Sequence, residues 1–160
     1  MAKIERMLNS NQDFVKMVLE MRMVMDHLNK TDSKISYEDA VQEAKGYFSE
    51  NRQVFGIYQN DEIIGYSALK IEDCVCWLDW LYVKPEHRGT SVASDLFNHA
   101  ETFAKELGND QLYIWVHPDN QPMLRFLKKK GYDVLNLIEV KKKKLKPNYK
   151  IDIFGNEFRY

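Results

Sequence analysis

Trp77-Leu78-Asp79-Trp80-Leu81-Tyr82-Val83-Lys84-Pro85-Glu86-His87-Arg88-Gly89-Thr90-Ser91-Val92-Ala93-Ser94 is the stretch on which the rest of the chain turns. Its first seven residues are aromatic, branched or leucine, apart from Asp79, and suit a pleated, half-buried strand. Beyond the turn, Val92, Leu96, Ala100, Phe103, Ala104 and Leu107 recur on one helical face, and Gly108 is the stop signal. A strand that delivers small residues to a helix N-terminus leaves backbone amides aimed at one spot, where the helix dipole adds positive potential. That spot suits a phosphate. Gly89 lets backbone approach a ligand closely, and Arg88 offers a charge-assisted contact to a diphosphate oxygen. The same string also fits an ordinary strand-turn-helix connection with a solvated arginine.

Working outward, Lys3 to Leu8 reads as a first strand, and Asn9-Ser10-Asn11 supplies capping oxygens for a helix starting near Gln12 or Asp13. Phe14, Met17, Val18, Met21, Met25 and Leu28 form its apolar stripe, a core face or a pliable pocket wall. Ser36 is a plausible N-cap for a second helix from Tyr37 to Glu50. Val54 to Gln59 and Ile63 to Ile71 are strands joined at Asn60-Asp61-Glu62, and a second turn at Glu72-Asp73 leads into the strand that ends at Val83. Gln111 to His117 reads as a strong strand. It follows a helix that follows a strand, so it should lie parallel to the earlier one. Pro118-Asp119-Asn120 breaks it before a short helix that stops at Gly131. Asp133 to Lys142 and Tyr149 to Tyr160 read as two final strands. Both parallel strands feed helices at their C-terminal ends, and ligands of open α/β sheets bind in the crevice outside those ends.

Val83-Lys84-Pro85-Glu86-His87-Arg88-Gly89-Thr90-Ser91-Val92-Ala93 resembles the acyl-CoA loop of the GCN5-related N-acetyltransferases. Downstream, Asn120-Gln121-Pro122-Met123-Leu124-Arg125-Phe126-Leu127-Lys128-Lys129-Lys130-Gly131-Tyr132 resembles the second motif of that superfamily. The resemblance covers roughly Val54 to Lys142. It implies an α/β fold: one domain with a mixed, mostly antiparallel twisted sheet of about six or seven strands, a central parallel pair and about four flanking helices. The implied activity is transfer of an acetyl group from acetyl-CoA to a primary amine within a ternary complex. A small cationic amine is the expected acceptor; a peptide amine, or a module that binds acyl-CoA without turnover, are the alternatives. In the family, a bulged strand before the loop offers backbone groups to the thioester and pantetheine, here those of Leu81, Tyr82 and Val83. Arg88 and the run Gly89, Thr90, Ser91, Val92, Ala93 and Ser94 would hold the diphosphate. Asn120 would contact the pantetheine arm or fix the second helix. Two positions depart from the pattern. Ser91 replaces the middle glycine, which matters if that residue needs a positive φ. Leu127 replaces a tyrosine that protonates the leaving thiolate, leaving that task to another group or to water.

For the base, Asp79 interrupts an otherwise apolar strand, and strict alternation puts it on one face with Trp77, Leu81 and Val83 unless a bulge breaks the phase. A carboxylate there is either ion-paired for structural reasons or kept for chemistry. The polyamine-type members of the family have a similar run, with an acidic base at this position. His117 ends the second parallel strand and is a candidate proton relay or an incidental strand-end residue. Asp26, Asp32, Glu38 and Asp39 surround the link between the first two helices, where they would either attract a cationic amine or serve the helix ends.

A chain of 160 residues supports one well-buried core and is short for two domains, so a single domain over residues 1–160 is expected. No leader-like start and no membrane-length apolar run appear, which points to a cytoplasmic protein with no membrane partner. Cys74 and Cys76 are too close along one strand for an easy disulfide and too few for a zinc site, so reduced thiols and no metal are expected. Charge is uneven. Residues 111–160 hold 11 basic and 5 acidic residues, whereas residues 1–110 hold 12 and 19. No nucleic-acid motif accompanies the lysines, so they read as solvated helix ends and guarded strand edges, with no nucleic-acid partner. The aromatic ending Phe158-Arg159-Tyr160 and the C-terminal strands leave room for a homodimer.

Overall fold

The computed structural model describes residues 2–31, 34–73, 75–108, 112–140 and 149–159. Asp32, Cys74, Gln111, Lys141 to Lys144, Lys146 and Tyr160 fall outside the described residues. Two compact units are present, Met1–Leu124 and Arg125–Tyr160.

In the first unit, β1 (Lys3–Met7), β2 (Arg52–Gln59), β3 (Glu62–Glu72), β4 (Val75–Val83) and β5 (Tyr113–Ile114) form a five-stranded sheet in that order. Four of them run antiparallel, and β5 lies parallel to β4, as a strand reached through a helix should. Asn60 and Asp61, both at positive φ (51° and 63°), make the tight β2–β3 turn. Helices α1 (Gln12–Asn29) and α2 (Tyr37–Gly46) start where the polar residues before them predict. The side chain of Asn11 accepts the Phe14 amide at 2.9 Å. Ser36 and Asp39 form a reciprocal capping box. α2 ends at Gly46, four residues before the boundary expected from its apolar spacing. α3 (Val92–Glu106) ends just before Gly108, which takes φ 84°. β5 is far shorter than the apolar run around it suggested.

The sheet separates two apolar layers. On one face Phe14, Met17, Val18 and Met21 of α1 and Ala40 and Ala44 of α2 pack with Val54, Tyr66, Ala68 and Tyr82. The methionine stripe is therefore largely core. On the other face Val92 and Leu96 of α3 cover Ile57, Ile64 and Val83. Each fully buried side chain of this size contributes about 1.5–3 kcal/mol. Cys76 is a buried thiol whose pKa burial pushes up to about 11.

One irregularity matters for chemistry. Across the β3–β4 pair, Ala68 faces Trp80 but Leu69 faces Leu78, so Asp79 is an extra, bulged residue. Paired residues share a face, and the bulge moves Leu78 to the α3 side with Leu81 and Val83. Asp79 instead reaches Arg52 on the α1–α2 side. The expectation from strict alternation, that Asp79 shares a face with Leu81 and Val83, is thereby corrected: one added residue inverts the phase of a period-2 pattern.

α4 (Gln121–Lys129) straddles the division between the units. In the second unit, Gly131 takes φ 85°, and β6 (Lys150–Ile153) and β7 (Asn156–Arg159) form a separate two-stranded hairpin. The expected final strands are thus redrawn. Residues 133–140 carry no strand, and Lys150–Ile153 and Asn156–Arg159 form a hairpin turning at Phe154-Gly155 rather than one strand. Among the described residues the main sheet accordingly has five strands and the hairpin two more, where one sheet of about six or seven was expected.

Candidate active site

β4 and β5 pair only at Trp77–Tyr113 and Leu78–Ile114. Beyond that point β4 continues to Val83 while residues 115–117 leave strand geometry, so the parallel pair opens into a wedge. The Lys84 amide donates across to the Ile64 carbonyl at 3.0 Å. Backbone direction alternates along a strand, so the amides of Leu81 and Val83 point away from β3, into the opening, and those of Tyr82 belong to the β3 ladder. Of the three backbone positions expected to meet a thioester and its arm, Leu81 and Val83 turn their amides away from β3 and Tyr82 turns its amide toward it.

At the mouth of the wedge, a single 3₁₀ turn (Pro85–His87) carries the chain into α3. Gly89 stands at φ 77°, and nothing lies within 4 Å of where a Cβ would be. Ser91, by contrast, sits at φ −72°, ψ −14°, a helical conformation open to any residue. The glycine requirement therefore falls on Gly89 and not on the position where this chain departs from the resembling pattern. The Ser91 hydroxyl donates to Asp95 at 2.8 Å, and the Thr90 hydroxyl donates to the His87 carbonyl at 2.6 Å. Val92 N–H makes only a long 3.4 Å contact to Thr90. Among the described residues, the amides of Gly89, Thr90, Ser91, Ala93 and Ser94 have no protein acceptor. Five amides without a protein acceptor around a helix start, with open space at Gly89, are donors of the kind that suit a diphosphate.

Arg88 is more occupied than its sequence position suggests. Its Nε donates to the Val83 carbonyl at 2.9 Å, and its guanidinium lies 5.6 Å from the centre of the Tyr82 ring. It braces the turn with one donor and retains its terminal nitrogens. Asn120 caps α4, its side-chain oxygen accepting the Met123 amide at 3.3 Å and its carbonyl the Leu124 amide at 3.0 Å. His117 is drawn into the same turn, where Nδ1 accepts the Asp119 amide at 3.1 Å.

On the α1–α2 side the bulge brings Asp79 against Arg52, with Oδ2 2.6 Å from Nη1 and the two side chains 11% and 23% exposed. The contact is an ion pair without good hydrogen-bond alignment, since Nη1 lacks a geometrically satisfactory acceptor. Arg52 also lies 5.7 Å from the Tyr47 ring centre. Tyr47 donates to Glu43 at 2.9 Å, and Glu43 meets Arg22 at 3.3 Å. Tyr82 donates its hydroxyl to Glu20. Burial and the carboxylates Glu43 and Glu20 push the Tyr47 and Tyr82 phenols well above their ordinary range, so both stay protonated. This polar network, with Tyr66 fully buried beside it, was not legible beforehand: Glu20, Glu43 and Arg52 look like surface charges until α1 and α2 are laid on the sheet. A hollow of about 360 Å³ beside the turn is lined by Asp13, Glu20, Glu62 and Glu86 against Lys16 and Lys84. Of the acids around the link between α1 and α2, Asp26 and Asp39 serve the helix ends. Asp39 accepts from Ser36, which lowers its pKa, and Asp26 accepts from Thr31. Among the described residues no His, Cys, Asp and Glu grouping of three or more could hold a metal, and no helix is long and apolar enough to cross a membrane.

A five-stranded sheet with a splayed parallel pair and an amide-rich helix start at its mouth defines a mixed α/β nucleotide-type binding fold of the acyltransferase kind. The model of the acetyltransferase (GNAT) family matches residues 21–132, and the chain belongs to that family. Among solved structures it is similar to the aminoglycoside N-acetyltransferase AAC(6')-Iy in complex with CoA, at 14% identity, TM-score 0.65, 91% of this chain and 96% of that chain. The aminoglycoside 6'-N-acetyltransferase AAC(6')-IG from Acinetobacter haemolyticus is similar at 21% identity, TM-score 0.65, with 89% and 99% covered. The PaiA N-acetyltransferase from Thermoplasma acidophilum in complex with coenzyme A is similar at 23% identity and TM-score 0.62, with 80% and 88% covered. A search of curated protein sequences finds no match.

Proposed function

We propose that this acetyltransferase acetylates a small cationic primary amine, by direct transfer from acetyl-CoA in a ternary complex. The observation that carries the reading is the wedge between β4 and β5, with the Leu81 and Val83 amides facing into it and free amides at its mouth. Acetyl-CoA supplies the activated acetyl group. The amides of Gly89, Thr90, Ser91, Ala93 and Ser94 hold the diphosphate, and the terminal nitrogens of Arg88 add charge there. Preorganised amides of Leu81 and Val83 serve the acyl oxygen, where negative charge grows during attack. The acceptor must lose a proton to become a nucleophile, and Asp79 takes it, positioned by Arg52. Leu127 carries no proton to give, so the departing sulfur takes its proton from water. With Asp13 and Glu62 paired to Lys16 and Lys84, Glu20 and Glu86 leave the hollow net acidic, which supports a cationic acceptor over an anionic one. The Arg52 contact also supports a second reading of Asp79, as a structural ion pair pinning β2 to β4.

Isothermal titration with acetyl-CoA, followed by thiol release across a panel of cationic amines, amino sugars and peptides, tests the assignment. Binding in the micromolar range, with turnover confined to cationic small amines, is expected. No binding heat at about 1 mM acetyl-CoA would sink it.

A further inference from the structure

Arg88 brings a positive side chain to the amide-rich turn, and a residue of the preceding strand fixes where that charge sits. Its Nε donates to the Val83 carbonyl at 2.9 Å, and its guanidinium carbon lies 5.6 Å from the centre of the Tyr82 ring. A guanidinium held over an aromatic ring uses its flat face there and keeps the N–H groups along its edge. Arg22 and Arg52 each meet a carboxylate, Glu43 and Asp79. Among the described residues no carboxylate pairs with Arg88, so its charge and its terminal donors remain for a ligand anion.

Tyr82 is itself firmly held. It is 5% exposed, its ring centre is 5.8 Å from that of the fully buried Tyr66, and its hydroxyl donates to Glu20 on α1. Those contacts fix the ring from the α1–α2 side of the sheet, and the ring in turn fixes Arg88. The backbone of Tyr82 is already committed, because its amide belongs to the β3 ladder. What this residue can add to donor binding therefore comes from its side chain. Glu20, Tyr82 and Arg88 form one line of contact from α1 to the turn.

We propose that Tyr82 is a positioning residue for the thioester donor: its ring holds the Arg88 guanidinium at the turn, leaving the edge donors for the diphosphate. It thereby sets how strongly a donor with a diphosphate is preferred over one without. The inference rests on the acetyl-CoA reading above and is independent of the acetyl acceptor. It is tested by calorimetry with coenzyme A and with pantetheine, which lacks the diphosphate, on the full chain. Position 82 carries Tyr82→Phe and then the same ring with successive fluorines. Fluorine withdraws electron density from the ring face while changing its size little, so the cation loses its hold and the packing stays. Coenzyme A binding should weaken stepwise, by about 5- to 10-fold across the series, with pantetheine changing by less than about twofold. In an Arg88→Met background the series should be flat. Arg88→Lys, which keeps the charge without the flat face, should reduce the preference for coenzyme A over pantetheine by about fivefold, and it leaves the buried ring untouched. A flat coenzyme A series, an equal fall for pantetheine, a trend that survives Arg88→Met, or an unchanged preference in Arg88→Lys overturns the proposal alone. Wild type that binds no coenzyme A overturns it together with the acetyl-CoA reading, so the two failures are told apart. Thermal unfolding checks that each fluorinated chain is folded.

Discussion

Replacing Asp79 by Asn separates the two roles that the bulge allows. The carboxylate and Arg52 are 2.6 Å apart and mostly buried, at 11% and 23% side-chain exposure. Two unit charges at about 4 Å attract by roughly 4 kcal/mol at an effective dielectric of about 20, and desolvation cancels much of that. Asn keeps an oxygen beside the guanidinium, so the net loss of stability is about 1–2 kcal/mol, between the values for exposed and fully buried pairs. For a chain of 160 residues that is a fall in Tm of roughly 2–8 °C. Loss of a general base costs about 100- to 10,000-fold in rate. The two roles thus differ in kcat/KM far more than in stability. The assay is thiol release at saturating acetyl-CoA across a pH series, paired with thermal unfolding and with titration of coenzyme A. The expected outcome is kcat/KM reduced by at least about 100-fold and coenzyme A affinity within about twofold of wild type, since its proposed donors are backbone amides. Arg52→Met should lower Tm by a similar amount while costing less activity than Asp79→Asn. If Asp79→Asn loses stability but keeps kcat/KM within about fivefold, the ion pair is structural and the base lies elsewhere.

Gly89→Ala should weaken coenzyme A binding by about tenfold or more, because φ 77° costs a residue with a Cβ roughly 1–2 kcal/mol, whereas Ser91→Gly, at φ −72°, should change it by less than about twofold; calorimetry reads both. Phe14→Ala should destabilise the chain by about 3–5 kcal/mol in urea unfolding, since the ring is fully buried against Tyr47, Phe48 and Tyr66. Burial beside Phe55 lowers the pKa of His99, with Glu106 opposing, so the unfolded chain binds the extra proton first. Stability should therefore fall as pH drops below about 6.5, and His99→Gln should flatten that fall in Tm measured from neutral to mildly acidic buffer.

The helices and antiparallel strands were readable because each carried local chemistry that agreed with its packing. Asn11 and Ser36 announced helix starts through their side-chain oxygens, and Asn60-Asp61 announced a hairpin by tolerating positive φ. The errors have equally specific causes. Gln111 to His117 is rich in strand-forming residues, but strand pairing needs a neighbour, and β4 offers one for two residues only. The same shortfall applies to residues 133–140, where five apolar side chains signalled a strand that no described neighbour completes. The bulge at Asp79 leaves no mark in composition, so the face of that side chain could be fixed only by the pairing register.

The candidate site was legible in one respect and hidden in another, for a reason that bears on mechanism. Its proposed ligand groups are mainly backbone amides, and a sequence records backbone only through residues that permit unusual geometry. Gly89 is such a residue and was visible; the outward amides of Leu81 and Val83 belong to residues with no chemical signal at all. Substitutions that keep the strand therefore leave these donors in place, and Ser91 presents its amide from an unstrained conformation. Acceptor recognition is the opposite case. Under the proposed function it would fall to side chains such as Glu20 and Asp79, carried on α1 and β4 and held by Tyr82 and Arg52. Changes there alter the charge presented to an amine without disturbing the amides, so donor and acceptor affinities should vary independently among variants of this chain.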